Sequence, residues 1–201
     1  MLQKHHAFTE MLKVARKWLE DRNPLEIAER TGISYEEKNS QFHLVSMGVD
    51  IYIHYPDYSI LPYVNEWHQL VILHYMKIAD GIPLTGNWMS MREIKDGLIR
   101  GGDFDQRCEN VIRQRFSQIS MEELSEKCRE IGGRITKSNA DFAVQFDFLP
   151  YYPLLFKVWF ADEEFPASGK ILVDMGADHY LTIEDAVTVG QMVVEKLVGI
   201  F

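Results

Sequence analysis

The sequence predicts an α+β fold, in which a mainly antiparallel sheet (an N-terminal hairpin and a C-terminal three-strand meander) packs with about five to six helices. Three observations predict it. Apolar residues recur at helical spacing in much of the N-terminal half, apolar and polar residues alternate strictly over residues 142–148, and short connections join the late strands. The length of 201 residues suits one large domain, so we expect residues 1–201 to form a single domain.

Helices are predicted where apolar residues lie three and four positions apart. Asn23-Pro24 predicts the N-cap and first-turn proline of a short helix that ends at Gly32. Residues 64–79 carry an apolar arc wider than a surface helix needs, which predicts a central helix. The other predicted helices cover residues 5–21, 104–116, 121–131 and 183–198.

Strands are predicted where apolar and polar residues alternate. The first two form a hairpin joined at Gly48, and a turn containing Pro150 and Pro153 is expected between the first two strands of the meander. Gly97 with Gly101-Gly102 is interpreted as a turn, because no phosphate-binding lysine follows it. The predicted strands cover residues 42–47, 49–55, 142–148, 154–160 and 171–175.

Composition excludes several classes of function. The formal net charge is −9, and the densest basic run, residues 107–115, is interleaved with Glu109, so nucleic-acid binding is not expected. Cys108 and Cys128 fall at apolar helical positions and are expected to be buried. The sequence has no apolar run of about 18 residues and no secretory signal pattern, so we expect a soluble cytoplasmic protein without a membrane segment.

Aromatic residues cluster on predicted loops and at the start of the central helix. Side chains of this kind line concave ligand sites, but they also close the ends of a core, and the sequence leaves both alternatives open. The first alternative predicts an aromatic-lined cleft between the helical half and the sheet. Its predicted ligand-binding residues are Tyr63, Trp67, Trp88, Arg92, Tyr151 and Tyr152.

Acidic residues follow two of the late strands. Carboxylates that converge at one sheet edge can bind Mg²⁺ or Ca²⁺, and a histidine beside them can act as a general base. The candidate metal ligands are Asp162, Glu163, Glu164 and Asp174, with His179 as the candidate base. The alternative is a solvated turn together with acids that cap the last helix.

Several sequence blocks resemble one family. They are LHY at 73–75 with Gly81, GNWMSMREI at 86–94, DEEFP at 162–166, ILVD at 171–174 and YLTIED at 180–185. Together they resemble a domain-of-unknown-function family (family 3786) of bacterial and archaeal proteins, mostly from anaerobes. The resemblance implies no activity and no cofactor. Some members look like fusions to a four-cysteine iron–sulfur module, which this chain lacks, so the resemblance implies iron–sulfur or corrinoid proteins as possible partners.

Three functions remain open at this point. The first is a non-enzymatic accessory protein of anaerobic metabolism that binds a small molecule or a protein. The second is a metal-assisted enzyme that uses the acidic residues, and the third is a structural or oligomerising domain. If the block at 86–94 lies beside the block at 162–166, Arg92 pairs with Glu163 or Glu164, either to stabilise the fold or within a polar site.

Overall fold

The computed structural model describes residues 2–116 and 119–198, and the side chains of residues 7–116 and 119–198. These residues form six α-helices and two antiparallel sheets, which confirms the predicted α+β class. The helices are α1 (Leu2–Lys17), α2 (Pro24–Thr31), α3 (Glu66–Ile78), α4 (Arg100–Arg115), α5 (Met121–Glu130) and α6 (Ile183–Val198). The strands are β1 (Ser34–Glu36), β2 (Gln41–Ser46), β3 (Val49–His54), β4 (Ile60–Leu61), β5 (Trp88–Ser90), β6 (Arg134–Ile135), β7 (Phe142–Leu149), β8 (Tyr152–Trp159) and β9 (Ser168–Asp174).

The first sheet has the strand order β1-β2-β3-β4 and contains the predicted hairpin at its centre. Met47 and Gly48 connect the paired residues Ser46 and Val49. Both connecting residues have positive φ, 51° and 75°, as a two-residue type I′ hairpin turn requires. The hairpin is therefore confirmed, and Gly48 lies where a left-handed backbone is needed.

The second sheet has the strand order β5-β9-β8-β7-β6, with the predicted meander in the middle. β5 and β6 add an edge strand on each side, and three or two residues are too few to show an alternating pattern. The predicted place of Pro153 in the turn is wrong, since it lies within β8. There it pairs with Asp147, beside a register irregularity between Asp147 and Leu149, where a missing backbone N–H is tolerated.

The short helix α2 begins and ends as predicted. The Asn23 side chain caps it by accepting the N–H of Leu25 at 2.9 Å, and Pro24 occupies its first turn. Gly32 follows the helix with φ 67°, and its N–H donates to the Ala28 carbonyl. The N-cap, first-turn proline and left-handed glycine thus all act at the positions where their chemistry predicts them.

One continuous cluster of buried apolar residues extends from the N-terminal helices to α6 and includes residues of both sheets. α3 lies within it, and Ile72 and Leu73 have no exposed surface, so its predicted central position is confirmed. The Tyr75 hydroxyl donates to the Thr31 carbonyl at 2.6 Å and accepts the Tyr151 N–H at 3.0 Å. α3 is thereby connected to the end of α2 and to the β7–β8 turn.

Within residues 2–116 and 119–198, no helix combines the length and apolar character needed to cross a bilayer. Cys108 and Cys128 are both buried, as expected. Burial raises the pKa of each thiol to about 12. Neither cysteine is therefore available as a thiolate near neutral pH.

A polar contact inside the core joins α3 to the first hairpin. His68 Nε2 and Ser46 Oγ lie 2.9 Å apart, and Ser46 has no exposed surface. Burial, followed by the charge of Lys196, lowers the pKa of His68 from 6.5 to about 4. The imidazole is therefore neutral in the folded protein, and protonation opposes folding.

We predict that His68 makes the protein less stable in mild acid. The folded-state pKa lies below the unfolded-state pKa, so its contribution is complete above about pH 6.5 and is lost as the pH falls toward 4. From pH 7 to 4.5 the loss is about 2–3 kcal/mol. Urea unfolding at several pH values measures it. His68→Gln is the comparison, since glutamine keeps a hydrogen-bonding group but does not titrate. Equal pH dependence in the two proteins would contradict the assignment.

Candidate functional site: a charged pocket between α4 and β9

The five predicted aromatic ligand-binding residues lie in different surroundings. Tyr63 is 71% exposed, and Trp67 is 48% exposed and packs edge-on against Phe8 with ring centroids 4.6 Å apart. Trp88 begins β5 opposite Asp174. These three residues lie on separate elements of the fold. Ligand binding through a shared aromatic cleft stays a prediction.

The last two of these aromatic residues belong to the β7–β8 turn and β8. Tyr151 is partly exposed and packs against Tyr180, with ring centroids 5.6 Å apart. Tyr152 is the first residue of β8 rather than a loop residue, and only 1% of its surface is exposed. A side chain buried to this extent supports the core and is not positioned to meet a ligand from solvent.

The four candidate metal ligands are divided between two environments. Asp162, Glu163 and Glu164 lie on an exposed turn, where Asp162 accepts the N–H groups of Glu164 and Phe165 at 2.9 and 2.7 Å. These two hydrogen bonds lower the pKa of Asp162. Across residues 2–116 and 119–198, no group of three or more His, Cys, Asp or Glu side chains is arranged to hold a metal ion.

Asp174, the fourth candidate, is 3% exposed at the end of β9. Its carboxylate accepts the N–H groups of Thr85, Gly86 and Gly176 at 3.0, 2.8 and 2.8 Å. Burial alone would raise the pKa of Asp174, but these hydrogen bonds outweigh it and the pKa is lowered. The carboxylate therefore holds the 80–87 loop against β9. The candidate base, His179, pairs with Asp80 at 2.7 Å.

A cavity of about 470 Å³ opens between β5, the 3-10 turn Met91–Glu93, α4 and β9. This volume lies within the range of small-molecule sites. Of the six predicted ligand-binding residues, Arg92 lines it. We call this cavity the charged pocket, and the residues that line it are Ser90, Arg92, Gly102, Asp105, Gln106, Glu109, Lys170 and Ile171.

Glycines at the start of α4 set the shape of this wall. Gly101 is buried in the first turn of α4, where a methyl group would overlap the Met91 carbonyl oxygen. Gly97 faces the same oxygen. The predicted turn at Gly101-Gly102 is wrong, since both residues are helical. Gly101 has to be small because the chain at Met91 passes directly against the helix, whereas Gly102 has only the Arg92 side chain within 4 Å.

Asp105 secures the 3-10 turn that carries Arg92. Its carboxylate accepts the Arg92 N–H at 3.1 Å. Burial raises the pKa of Asp105, and the N–H groups of Arg92 and Met91 and the charge of Lys170 oppose this shift. Glu93 is held in a similar way, because the N–H and hydroxyl of Ser90 donate to it at 2.8 and 2.7 Å and lower its pKa. The backbone beneath the charged pocket is therefore fixed by hydrogen bonds.

The charged pocket carries two cations that form no ion pair with the described residues. In the described part of the chain, neither Arg92 nor Lys170 forms an ion pair, although both side chains are exposed at the pocket wall. The pairing of Arg92 with Glu163 or Glu164, which depended on the two blocks lying side by side, is not among the ion pairs of the described residues. The Arg92 stem instead lies 3.8 Å from the position that a methyl group would take on Gly102.

Most of the charged pocket was not predicted from the sequence. Asp105 and Glu109 are four residues apart and share one face of α4, but the same spacing is common on any solvated helix. Lys170 is a single exposed residue in an alternating strand. No local pattern connects residues 90–92 with residue 170, because only the pairing of β5 with β9 makes them neighbours.

The fold and this site define a small α+β protein with two antiparallel sheets and a charged surface pocket. Residues 23–196, more than half of the chain, match the model of the family described as "Domain of unknown function (DUF3786)". The chain therefore belongs to this family, as its sequence blocks suggested. No curated protein and no solved structure matches the chain in the corresponding comparisons.

We predict that Gly101→Ala destabilises the protein by about 2–3 kcal/mol, because the added methyl group displaces the Met91 backbone. Gly102→Ala is the matched control, since its nearest neighbours are 3.8 Å away and alanine favours a helix by up to about 1 kcal/mol. Urea unfolding of the two variants tests this. Equal effects at the two positions would show that close approach does not constrain α4.

We further predict that Asp174→Asn lowers the free energy of unfolding by about 2 kcal/mol at pH 7, because an amide offers one acceptor oxygen to several donors. The wild-type pKa is lowered in the folded state, so this stability is present at neutral pH and is lost as acid protonates the carboxylate. Glu164→Gln, on the exposed turn, is the control and is expected to change stability little. A neutral Asp174→Asn variant would contradict the structural role.

Proposed function

We propose that this protein is a non-enzymatic binding protein that holds a small polar molecule in the charged pocket. The observation that carries the proposal is the presence of two cations, Arg92 and Lys170, on the wall of a 470 Å³ cavity without ion-pair partners among the described residues. Unpaired cations of this kind attract an anionic group of a ligand. The fixed backbone at Met91 and Arg92 holds the main chain of Arg92 in a defined position, and Lys170 projects from β9.

The chemistry of the available nucleophiles favours binding over catalysis. Both thiols are buried and have pKa values raised to about 12. Ser46 and His68 form a close pair, but Ser46 has no exposed surface, so a substrate does not reach its hydroxyl. The candidate metal ligands Asp162 and Asp174 already accept backbone N–H groups.

The cellular setting remains part of the proposal. The family resemblance supports a cytoplasmic accessory protein of anaerobic metabolism that works with iron–sulfur or corrinoid proteins. The negative net charge of −9 disfavours nucleic acid as a partner. The charged pocket adds a ligand site to this setting.

We predict that a library of small polar metabolites contains compounds that raise the Tm of the protein, because a ligand that binds only the folded state stabilises it. At a ligand concentration of about 100 times Kd, the stabilisation is about 2.7 kcal/mol. Thermal shift identifies the compounds, and titration calorimetry confirms them.

Arg92→Gln combined with Lys170→Gln is expected to abolish the shift. The control combines Arg129→Gln with Lys137→Gln, two exposed residues outside the pocket wall, and is expected to bind like the wild type. If no compound shifts the Tm, or if the pocket variant binds as tightly as the control, the proposed function is wrong.

A further inference from the structure

We infer that the ligand of the charged pocket is a zwitterion with one carboxylate and one ammonium group, in the manner of an amino acid. This inference rests on the proposed function and narrows it to a class of molecule. Its basis is the distribution of charge: the wall contains two cations, Arg92 and Lys170, and two carboxylates, Asp105 and Glu109.

The opposite charges belong to different walls. Asp105 and Glu109 lie one turn apart on the same face of α4. Lys170 belongs to β9, and Arg92 lies in the 3-10 turn that follows β5. β5 and β9 pair at Ser90 and Leu172. The two cations therefore lie on or just after neighbouring strands, whereas the two carboxylates lie on the helix.

The two signs of charge act on each other only at a distance, since the charge of Lys170 opposes the rise in the pKa of Asp105. No ion pair joins Arg92 or Lys170 to Asp105 or Glu109 in the described residues. The Asp105 carboxylate is directed to the backbone of the turn, and Glu109 makes no hydrogen bond or ion pair with a described residue. Glu109 is therefore the acceptor open to a ligand ammonium group, opposite two cations open to a ligand carboxylate.

Electrostatics then discriminates between ligand classes. A simple anion would gain from Arg92 and Lys170 but would lie near the carboxylate of Glu109, which repels it. A simple cation would be attracted by Glu109 but repelled by Arg92 and Lys170. A zwitterion places its carboxylate near the two cations and its ammonium group near Glu109. Each ligand charge that loses water then gains an opposite charge of the protein.

The test is titration calorimetry of the full chain with the twenty L-amino acids and with β-alanine, γ-aminobutyrate and 5-aminovalerate. Each compound that binds is compared with its analogue lacking the amino group and its analogue lacking the carboxylate. We expect at least one amino acid to bind at least about tenfold more tightly than both analogues. Glu109→Gln should weaken the amino acid about tenfold and leave the carboxylic acid analogue unchanged or tighter.

Arg92→Gln should weaken both compounds, and Glu122→Gln, an exposed acid on α5, is the matched control for Glu109→Gln and should change neither. Binding of the carboxylic acid as tightly as the amino acid, or an unchanged affinity in Glu109→Gln, overturns the inference and leaves the proposed binding function intact. If neither these zwitterions nor any compound of the wider metabolite library binds, the proposed function fails as well.

Discussion

The burial of α3 is the constraint on which the rest of the structure depends. Eight of its 13 residues are buried, and α1, α2 and α6 pack against it. A helix with so little exposed surface requires neighbours on most sides. α2 and α6 are connected to it by polar contacts as well as by packing. Tyr75 connects it to Thr31 and Tyr151, and His74 Nδ1 lies 2.7 Å from the Asp185 carboxylate of α6. α3 also contacts both sheets, through His68 with Ser46 of β2 and through Tyr75 with the β7–β8 turn.

The charged pocket lies at the margin of this core, where α4 meets β9. The approach is close because two glycines leave room for larger side chains: Gly169 of β9 faces Ile112, and Gly190 of α6 faces the ring of Phe104. α4 is thereby fixed against both α6 and the second sheet. Its polar face then forms one wall of the pocket, while the turn after β5 forms the other.

Three charges of the pocket, Arg92, Lys170 and Glu109, contribute little to folding, whereas Asp105 secures the turn that carries Arg92. Arg100 and Glu184, or Glu123 and Lys127, form ion pairs across or along helices, whereas Arg92, Lys170 and Glu109 form none with the residues that the structure describes. Arg92, Lys170 and Glu109 line one pocket without pairing and so forgo the modest stability of a surface ion pair. Unpaired charges in one pocket, on a surface where other charges form ion pairs, are expected where a protein binds a ligand.

Local chemistry, which depends on neighbours in the chain, was readable from the amino-acid sequence alone. The Asn23 and Pro24 pattern determined the start of α2, Gly48 marked the tight hairpin turn, and the wide apolar arc of α3 determined its burial. The class of fold follows from these signals because each element has its own periodicity. The sequence also placed Arg92 among the residues of interest.

Only the tertiary structure decided what lies beside Arg92. Lys170 is 78 residues away in the chain, and its position beside Arg92 depends on the pairing between β5 and β9. β5 has only three residues, too few for the sequence to predict that pairing. Gly101 and Gly102 were interpreted as a turn because the reason for Gly101, the Met91 backbone packed against the helix, comes from another element. A pocket forms where folding brings separate surfaces together, and local sequence patterns do not specify which surfaces will meet.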